Sequence, residues 1–310
     1  MIVKSRLVNV LVTGGAGFIG SHLVEELIRK KNSVTVLDNL KIGKKENLSS
    51  VFNKIDFIEG DIRDYNLLEQ IIKNVDGIYH QASLASVPES FVHTKEYYDV
   101  NVTGTENIFK LAKKYKCKVV YASSSSVYGN PVKIPISEDH PKNPINPYAQ
   151  TKLEDEILAQ KYANQGTEII GLRYFNVFGE RQSKEYAGVI KKFLENIYNK
   201  KSPIINGNGL QTRDFVYVED VVRANLLAMQ NPIKHAFMNI GTNSSITVLE
   251  LAEQIIKISD LPIKPVHSSE LKGDIKESVA DVTLAKRLLD WEPKTTLNEW
   301  LKIAIPNKLN

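Results

Sequence analysis

The chain has 310 residues, 42% hydrophobic and 25% charged, and its 40 Lys and Arg against 36 Asp and Glu give a formal charge of +4. That composition suits a globular protein of two domains, or one large sheet with an appended lobe, and excludes disordered and fibrous architectures. Basic residues are spread along the chain, in short pairs such as Lys44-Lys45 and Lys191-Lys192 with no long run, the single Cys117 forbids an internal disulfide or a cysteine zinc cluster, and no apolar run approaches bilayer length, so nucleic acid and membrane are not expected as partners.

The run Val8 to Thr13 predicts a strand that stops at Gly14-Gly15-Ala16-Gly17-Phe18-Ile19-Gly20 and gives way to helical periodicity through Ile19, Leu23, Leu27 and Ile28. A strand, tight turn and helix of this kind hold a dinucleotide pyrophosphate, because the helix N-terminus attracts the anion and glycines let the backbone approach it. The spacing fits Gly15, Gly17 and Gly20, and equally Gly14, Gly17 and Gly20. A second apolar run over 34–37 ends at Asp38, where a carboxylate would accept hydrogen bonds from the adenosine ribose and repel a 2′-phosphate, favouring NAD over NADP.

Further strand-like runs follow at 55–58, 77–79, 119–121 and 169–172, separated by segments of helical length, which predicts a parallel sheet covered on both faces. Five of the twelve prolines fall between Pro131 and Pro147, so this stretch is expected to be an ordered loop leading into a helix. Residues 1–176 are assigned to a dinucleotide-binding domain and 177–310 mainly to a smaller lobe. A strand near 213–240, with 215–218 the clearest run, is expected to return to the main sheet.

Tyr148 and Lys152 stand four apart after Pro147, on one helix face, and an ammonium beside a phenol makes the phenol a better general base. Ser123-Ser124-Ser125-Ser126 directly follows a strand, at the sheet edge where open α/β folds bind ligands. His22 and His80 have no partners at metal-ligand spacing and read as structural, as does Cys117.

Together these residues resemble the extended short-chain dehydrogenase/reductase family, and within it the nucleotide-sugar 4-epimerases. The resemblance covers nearly the whole chain through Thr13 to Gly20, Leu37 to Leu40, Gly60 to Asp64, His80-Gln81-Ala82, Asn101 to Asn107, Ser123 to Gly129, Pro147 to Lys152, Leu172 to Asn176, Thr212 to Phe215 and Gly273-Asp274. It implies a Rossmann-type doubly wound α/β fold with a C-terminal substrate lobe, NAD as cofactor, a UDP-sugar substrate, a cytoplasmic location and a homodimer built on the segments 97–115 and 148–162. The start, Met1 to Arg6, lacks the apolar core of a signal peptide.

By the same resemblance, Gly14, Gly17, Phe18, Ile19, Gly20, Asp38, Asn39, Leu40, Gly43, Asp61, Ile62, Gln81, Ala82, Ser83, Asn101, Ser123, Tyr174 and Phe175 would surround NAD. Tyr148 would be the base, Lys152 would hold the nicotinamide ribose, and Ser124 would hydrogen-bond the sugar O4. Ser86, Val87, Ser125, Ser126, Asn176, Val189, Ile204, Ile205, Asn206, Arg213, Asp274 and Ser278 would form the nucleotide-sugar site. Where many relatives carry Arg two positions before the Gly-Asp pair, this chain has Leu271.

Dehydratases and decarboxylases of the family place acids directly after the Ser or Thr, or two after it, whereas here those positions are Ser125 and Ser126. Oxidation at C4 and its reversal need no such acid. The reading is therefore a 4-epimerase of UDP-sugars. A UDP-glucuronate 4-epimerase and a non-catalytic NAD-binding regulator are the alternatives. A bulky Tyr at the position of Ser278 resembles enzymes that exclude N-acetyl groups, so Ser278, with Ser86-Val87-Pro88, points to UDP-GlcNAc and UDP-GalNAc, with UDP-glucose and UDP-galactose also accommodated.

Overall fold

Short runs of Val, Ile and Leu build a sheet buried on both faces. In the computed structural model, which describes residues 8–182, 188–270, 273 and 275–306, they form β1 (Asn9–Thr13), β2 (Ser33–Asp38), β3 (Asp56–Glu59), β4 (Gly77–His80), β5 (Lys118–Ser124) and β6 (Ile169–Tyr174). After them come the short β7 (Asn176–Phe178), β8 (Ile204–Asn206), β9 (Thr212–Arg213) and β10 (Phe215–Tyr217), then β11 (His235–Ile240), β12 (Ile246–Thr247) and β13 (Val266–Ser268). The main sheet has seven parallel strands in the order β11-β6-β5-β4-β1-β2-β3. The order reverses between β1 and β4, and such a switch point opens a crevice at the C-terminal strand ends.

The helices are α1 (Phe18–Arg29), α2 (Tyr65–Ile72), α3 (Val87–Val92), α4 (Thr94–Tyr97), α5 (Gly104–Tyr115), α6 (Pro147–Ala163), α7 (Val189–Tyr198), α8 (Val218–Gln230), α9 (Val248–Ser259), α10 (Thr283–Leu289) and α11 (Leu297–Ala304). Alternate strand residues feed the two faces. Val10, Val12, Val34 and Val36 pack with α1, α8 and α10, whereas Leu11, Ile78, Val119 and Tyr121 pack with α2, α5 and α6. A third core, with Phe193, Leu251 and Trp300, holds the smaller lobe formed by α7, α9 and α11.

The run beginning at Phe215 does not join the main sheet. β10 pairs in parallel with β7, and Val218 already opens α8. Phe215 belongs to the lobe's core while Val216 belongs to the sheet's, so this two-stranded ribbon sits at the junction of the two. The strand that returns to the main sheet is β11, alongside β6. Trp291, beyond α10, also packs under the sheet, with its indole N–H donating to the Asp220 carbonyl at 2.9 Å.

Between α4 and α5 the chain makes a π-helical turn over Tyr98–Thr103. Such turns widen a helix by one residue and re-aim a side chain. Here Asn101 is buried, its amide clamping the backbone of Leu84 through bonds of 2.8 and 3.0 Å and donating to Thr151 Oγ1 at 3.0 Å. That ties the loop after β4 to α6.

The proline-rich loop is fastened as well. The Ile136 N–H donates to the Val279 carbonyl at 2.8 Å, and Glu138 accepts from the Asn239 N–H at 2.9 Å. The loop delivers the chain to Asn146, whose side chain caps α6 by accepting from the Ala149 N–H at 2.8 Å, with Pro147 in the first helical position. Among the described residues no helix is long and apolar enough to cross a membrane.

Candidate active site

The turn between β1 and α1 is built so that only glycine fits. Gly14 has φ +68°, and a Cβ there would stand 2.7 Å from the Ala82 nitrogen; at Gly20 it would stand 2.1 Å from the Gly14 carbonyl oxygen. Gly14, Gly17 and Gly20 line the crevice, whereas Gly15 packs against Val36, so the wider of the two glycine spacings bounds the cleft. No side chain caps α1, which leaves its first-turn N–H groups, with Phe18 and Ile19, facing the place an anion would occupy.

Asp38 ends β2 in the same cleft. Its carboxylate accepts from the Ala16 N–H at 2.9 Å and the Leu40 N–H at 2.8 Å, and Gly43 lies so close that a Cβ would stand 2.8 Å from Oδ2. Burial pushes the Asp38 pKa up while the two backbone donors pull it down. Asp61 is gripped by Arg63 through bonds of 2.9 and 2.7 Å and also accepts from Asn39, which brings its pKa down to about 2, the Arg63 hydrogen bond being the largest cause. Lys41 is paired with Glu96, so two of the cations at this end, Lys41 and Arg63, are already matched by carboxylates. An uncapped helix start over a glycine cradle, with a buried carboxylate at the next strand end, fits a dinucleotide whose adenosine ribose carries free hydroxyls.

At the other end of the cleft stand Gln81, Ala82, Ser83, Ser123, Ser124, Tyr148 and Lys152. Lys152 is buried, donating to the Ala122 carbonyl at 3.1 Å and to Asp155 Oδ2 at 3.3 Å. Ser123 turns inward and donates to Glu156 Oε1 at 2.7 Å, whereas Ser124 Oγ accepts from the Ser126 N–H at 3.2 Å and faces the cleft.

A second pocket opens beside this end, and Ser124, Tyr148, Tyr174 and Phe175 belong to the walls of both. Val87, Ser125, Ser126, Asn176, Arg213 and Ser278 line it. Among the described residues, none of its lining side chains is a carboxylate.

The structure does not bring every candidate together. Ile62 and Asn39 line the cleft, but Leu40 packs into the core beside it, and Asn101 is spent on the Leu84 clamp. Ser86 caps α3 and exchanges hydrogen bonds with the Tyr97 hydroxyl through its backbone, at 2.8 and 3.1 Å. Val189 and Ile205 serve the lobe core, Ile204 is exposed, and Asn206, beside them on β8, lines neither cavity. Asp274 and Leu271 lie outside the described residues.

Other residues came to the clefts with no motif to mark them. Arg181 and Lys191 line the long cleft, and Asn146 and Ile275 the second pocket. Arg181 also pairs with Glu25 of α1 at 2.7 Å, a contact across 156 positions of sequence.

His80 is structural: both ring nitrogens are bonded, to Thr13 at 2.7 Å and Thr105 at 2.9 Å, and burial, helped by the Lys152 charge, pushes its pKa down to about 3. Cys117 is buried with its pKa pushed up to about 11 by desolvation.

The chain belongs to the NAD dependent epimerase/dehydratase family, whose pattern matches residues 10–241. It is 41% identical, over 96% of its length and 97% of the relative's, to a putative UDP-glucose 4-epimerase of Methanocaldococcus jannaschii. The crystal structure of a UDP-glucose 4-epimerase from Thermotoga maritima with UDP-glucose superposes with a TM-score of 0.92 at 38% identity, covering 96% of this chain and 97% of that one. A UDP-N-acetylglucosamine 4-epimerase from Methanobrevibacter ruminantium, in complex with UDP-N-acetylmuramic acid, also superposes at 0.92, with 37% identity over 97% of this chain and 98% of that one. The protein is accordingly NAD-dependent, and its seven-stranded parallel sheet is that of its structural neighbours.

Because the Asp38 carboxylate is buried in the cleft wall, where it would face the adenosine ribose, NADP is expected to bind roughly tenfold or more weakly than NAD in equilibrium titrations. Equal dissociation constants would contradict this placement of Asp38.

Proposed function

We propose that the protein is a 4-epimerase of UDP-sugars that accepts the N-acetylated pair UDP-GlcNAc and UDP-GalNAc, and UDP-glucose and UDP-galactose as well. The observation that carries this reading is the meeting of the two cavities at Ser124 and Tyr148, beside a second pocket whose described lining has no carboxylate. The same family holds dehydratases and, among this chain's relatives, decarboxylases. Eliminating a hydroxyl, or abstracting at C5, calls for an acid or base beyond Tyr148, and the described lining of this pocket offers no carboxylate for it, whereas exchange at C4 needs only a base for one hydroxyl proton.

Bound NAD would supply the acceptor, and then the donor, of the hydride at the sugar C4. Gly14, Gly17, Gly20 and the start of α1 would hold its pyrophosphate, and Asp38 its adenosine ribose. Tyr148 would take the O4 proton and later return it. Ser124 Oγ already accepts a hydrogen bond from Ser126, so its own hydrogen is free to be donated to O4. Two of the three Lys152 N–H donors are committed to Ala122 and Asp155, which leaves one for the cleft. Arg213, in the wall of the second pocket, would pair with the diphosphate. With no carboxylate among the described residues of its pocket to grip it, the sugar ring can turn over between loss and return of hydrogen at C4.

Replacing Tyr148 by Phe keeps the ring and removes the base, so turnover should fall about 10²–10⁴-fold with NAD binding retained; near wild-type rates would remove Tyr148 from the reaction. Ser278 is buried at the wall of the sugar pocket, on the same cavity as Val87 and Pro88. A phenol there would fill the space an acetamido group needs, so Ser278→Tyr should depress turnover of UDP-GalNAc at least ~10-fold more than that of UDP-galactose. Equal loss on both substrates would sink the gatekeeper role.

We further assign a homodimer. α5 and α6 pack on each other, and near them Tyr98 and Ile157 are 37% and 55% exposed, apolar surface that a second copy could cover as a four-helix bundle. Sedimentation at micromolar concentration should show a dimer; a stable monomer would refute it.

A further inference from the structure

Helix α6 carries more than Tyr148 and Lys152 on the stripe that faces the sheet. Asp155 is three residues beyond Lys152 and seven beyond Tyr148, a spacing that keeps all three on one side of the helix. Its side chain is fully buried, as is nearly all of Lys152, and the two form an ion pair at 3.3 Å. Asp155 Oδ1 has no hydrogen-bond partner of good geometry. Nothing in the proton transfer assigned to Tyr148 uses this carboxyl, yet a buried charge with one unsatisfied oxygen is costly to keep.

We propose that Asp155 is a positioning residue of the reaction centre: it is the counter-charge that fixes the Lys152 ammonium between β5 and the cleft, so its charge state sets how strongly Lys152 acts on Tyr148. When Asp155 is ionised, the ammonium is shared between the carboxylate and the cleft, and its field at the phenol is partly cancelled. When Asp155 is neutral, the full charge of Lys152 bears on Tyr148. The inference rests on the proposed role of Tyr148 as base.

The surroundings favour a carboxyl that changes charge in the working range. Burial is the main cause that pushes its pKa up, to about 7, with Lys152 opposing and the like charge of Glu156 adding to it. Glu156 on the same helix is itself matched by Arg173 of β6. From β5 the buried Tyr121 faces this region, its hydroxyl also without a partner. From α5, Thr105 turns its hydroxyl toward the carboxyl while bonding His80 of β4.

The Ala82 N–H donates to Thr13 Oγ1 at 3.3 Å, and Thr13 bonds His80 Nδ1. If Thr13 donates to that nitrogen, the neutral ring donates from Nε2 to Thr105, whose hydrogen is then directed at Asp155. In that tautomer the hydroxyls of Thr13 and Thr105 and the His80 ring form a line that ends beside Asp155.

The test is the pH profile of turnover for the wild type and for Asp155→Asn, which keeps shape and removes charge. Below about pH 6 the two profiles should run parallel, because Asp155 is neutral in the one and absent in the other; as pH passes about 7 the ratio of variant to wild-type turnover should rise about 3–10-fold, because only the variant's phenol still meets an uncancelled ammonium. A uniform loss of rate, the same at every pH, is what a merely structural role gives, and it overturns the proposal.

A second readout needs no substrate. A carboxyl whose pKa is raised by folding contributes stability that is present below its unfolded value and lost as pH rises to its folded value, here about 7, so the melting temperature of Asp155→Asn relative to wild type should climb between about pH 4 and about pH 7 and level off above. A constant difference overturns the proposal. Should Asp155→Asn fail to fold, Thr105→Val removes the hydroxyl facing the carboxyl, keeps Asp155 neutral to higher pH and should raise the same ratio above about pH 7 by less; a ratio that stays flat with pH then counts against the proposal. Failure of the functional reading looks different: the wild type would turn over no UDP-sugar at any pH, and the proposal would fall with it although the melting difference still varied with pH.

Discussion

Arg173 and Glu156 form a bidentate pair of 2.7 and 2.9 Å under the end of the sheet, and the elements that carry the proposed reacting groups hang from it. Glu156 belongs to α6, the helix of Tyr148 and Lys152, and it also accepts from Ser123, the residue before Ser124. Arg173 reaches on to the Tyr128 hydroxyl at 2.6 Å and the Glu138 carbonyl at 2.9 Å, fastening the loop that leads into α6. The pair is almost wholly shielded from water, where breaking a matched charge by removing one partner costs about 3–5 kcal/mol. With four of its five donors occupied, Arg173 leaves the separation between the end of β5 and the first two turns of α6 little freedom, and that separation is what the proposed proton transfer between Ser124, Tyr148 and a sugar hydroxyl would require.

Charge is divided along the cleft in a way that suits its two ends. Carboxylates cluster where the adenosine would lie, at Asp38, Asp61 and Glu96, two of them matched by Arg63 and Lys41. Among its described residues the sugar pocket has serines, Asn146, Asn176 and Arg213 and no acid. One ammonium, held from behind by a carbonyl and a carboxylate, is the charge at the junction. The reaction proposed here asks for little beyond that, since nothing leaves the sugar and nothing is protonated except O4.

Features encoded within a few residues of one another were legible in the sequence. The glycine turn, Asp38 at a strand end and Tyr148 with Lys152 on one helix face are set by local geometry, and the structure brings them into one cleft. Even there the choice between Gly14 and Gly15 needed three dimensions, because it depends on whether the Cβ would meet the Ala82 backbone or Val36. The run from Phe215 looks like a sheet strand because apolar, β-branched residues say only that a segment is buried, and β10 is buried between two cores on a two-stranded ribbon. Asn101 was recognisable as a residue of interest, but the π-helical turn that directs it at Leu84 has no sequence signal. Arg181, Lys191 and Asp155 escaped notice because their roles arise from contacts that only the packed chain makes.

The central claim, exchange at C4 with nothing lost from the sugar, is tested most directly by proton NMR of the wild-type protein with NAD and UDP-GlcNAc in deuterated water. The account predicts an equilibrium mixture of UDP-GlcNAc and UDP-GalNAc, with no solvent deuterium at C4 or C5. Deuterium at C5, a 6-deoxy product, or the absence of any second epimer would contradict it.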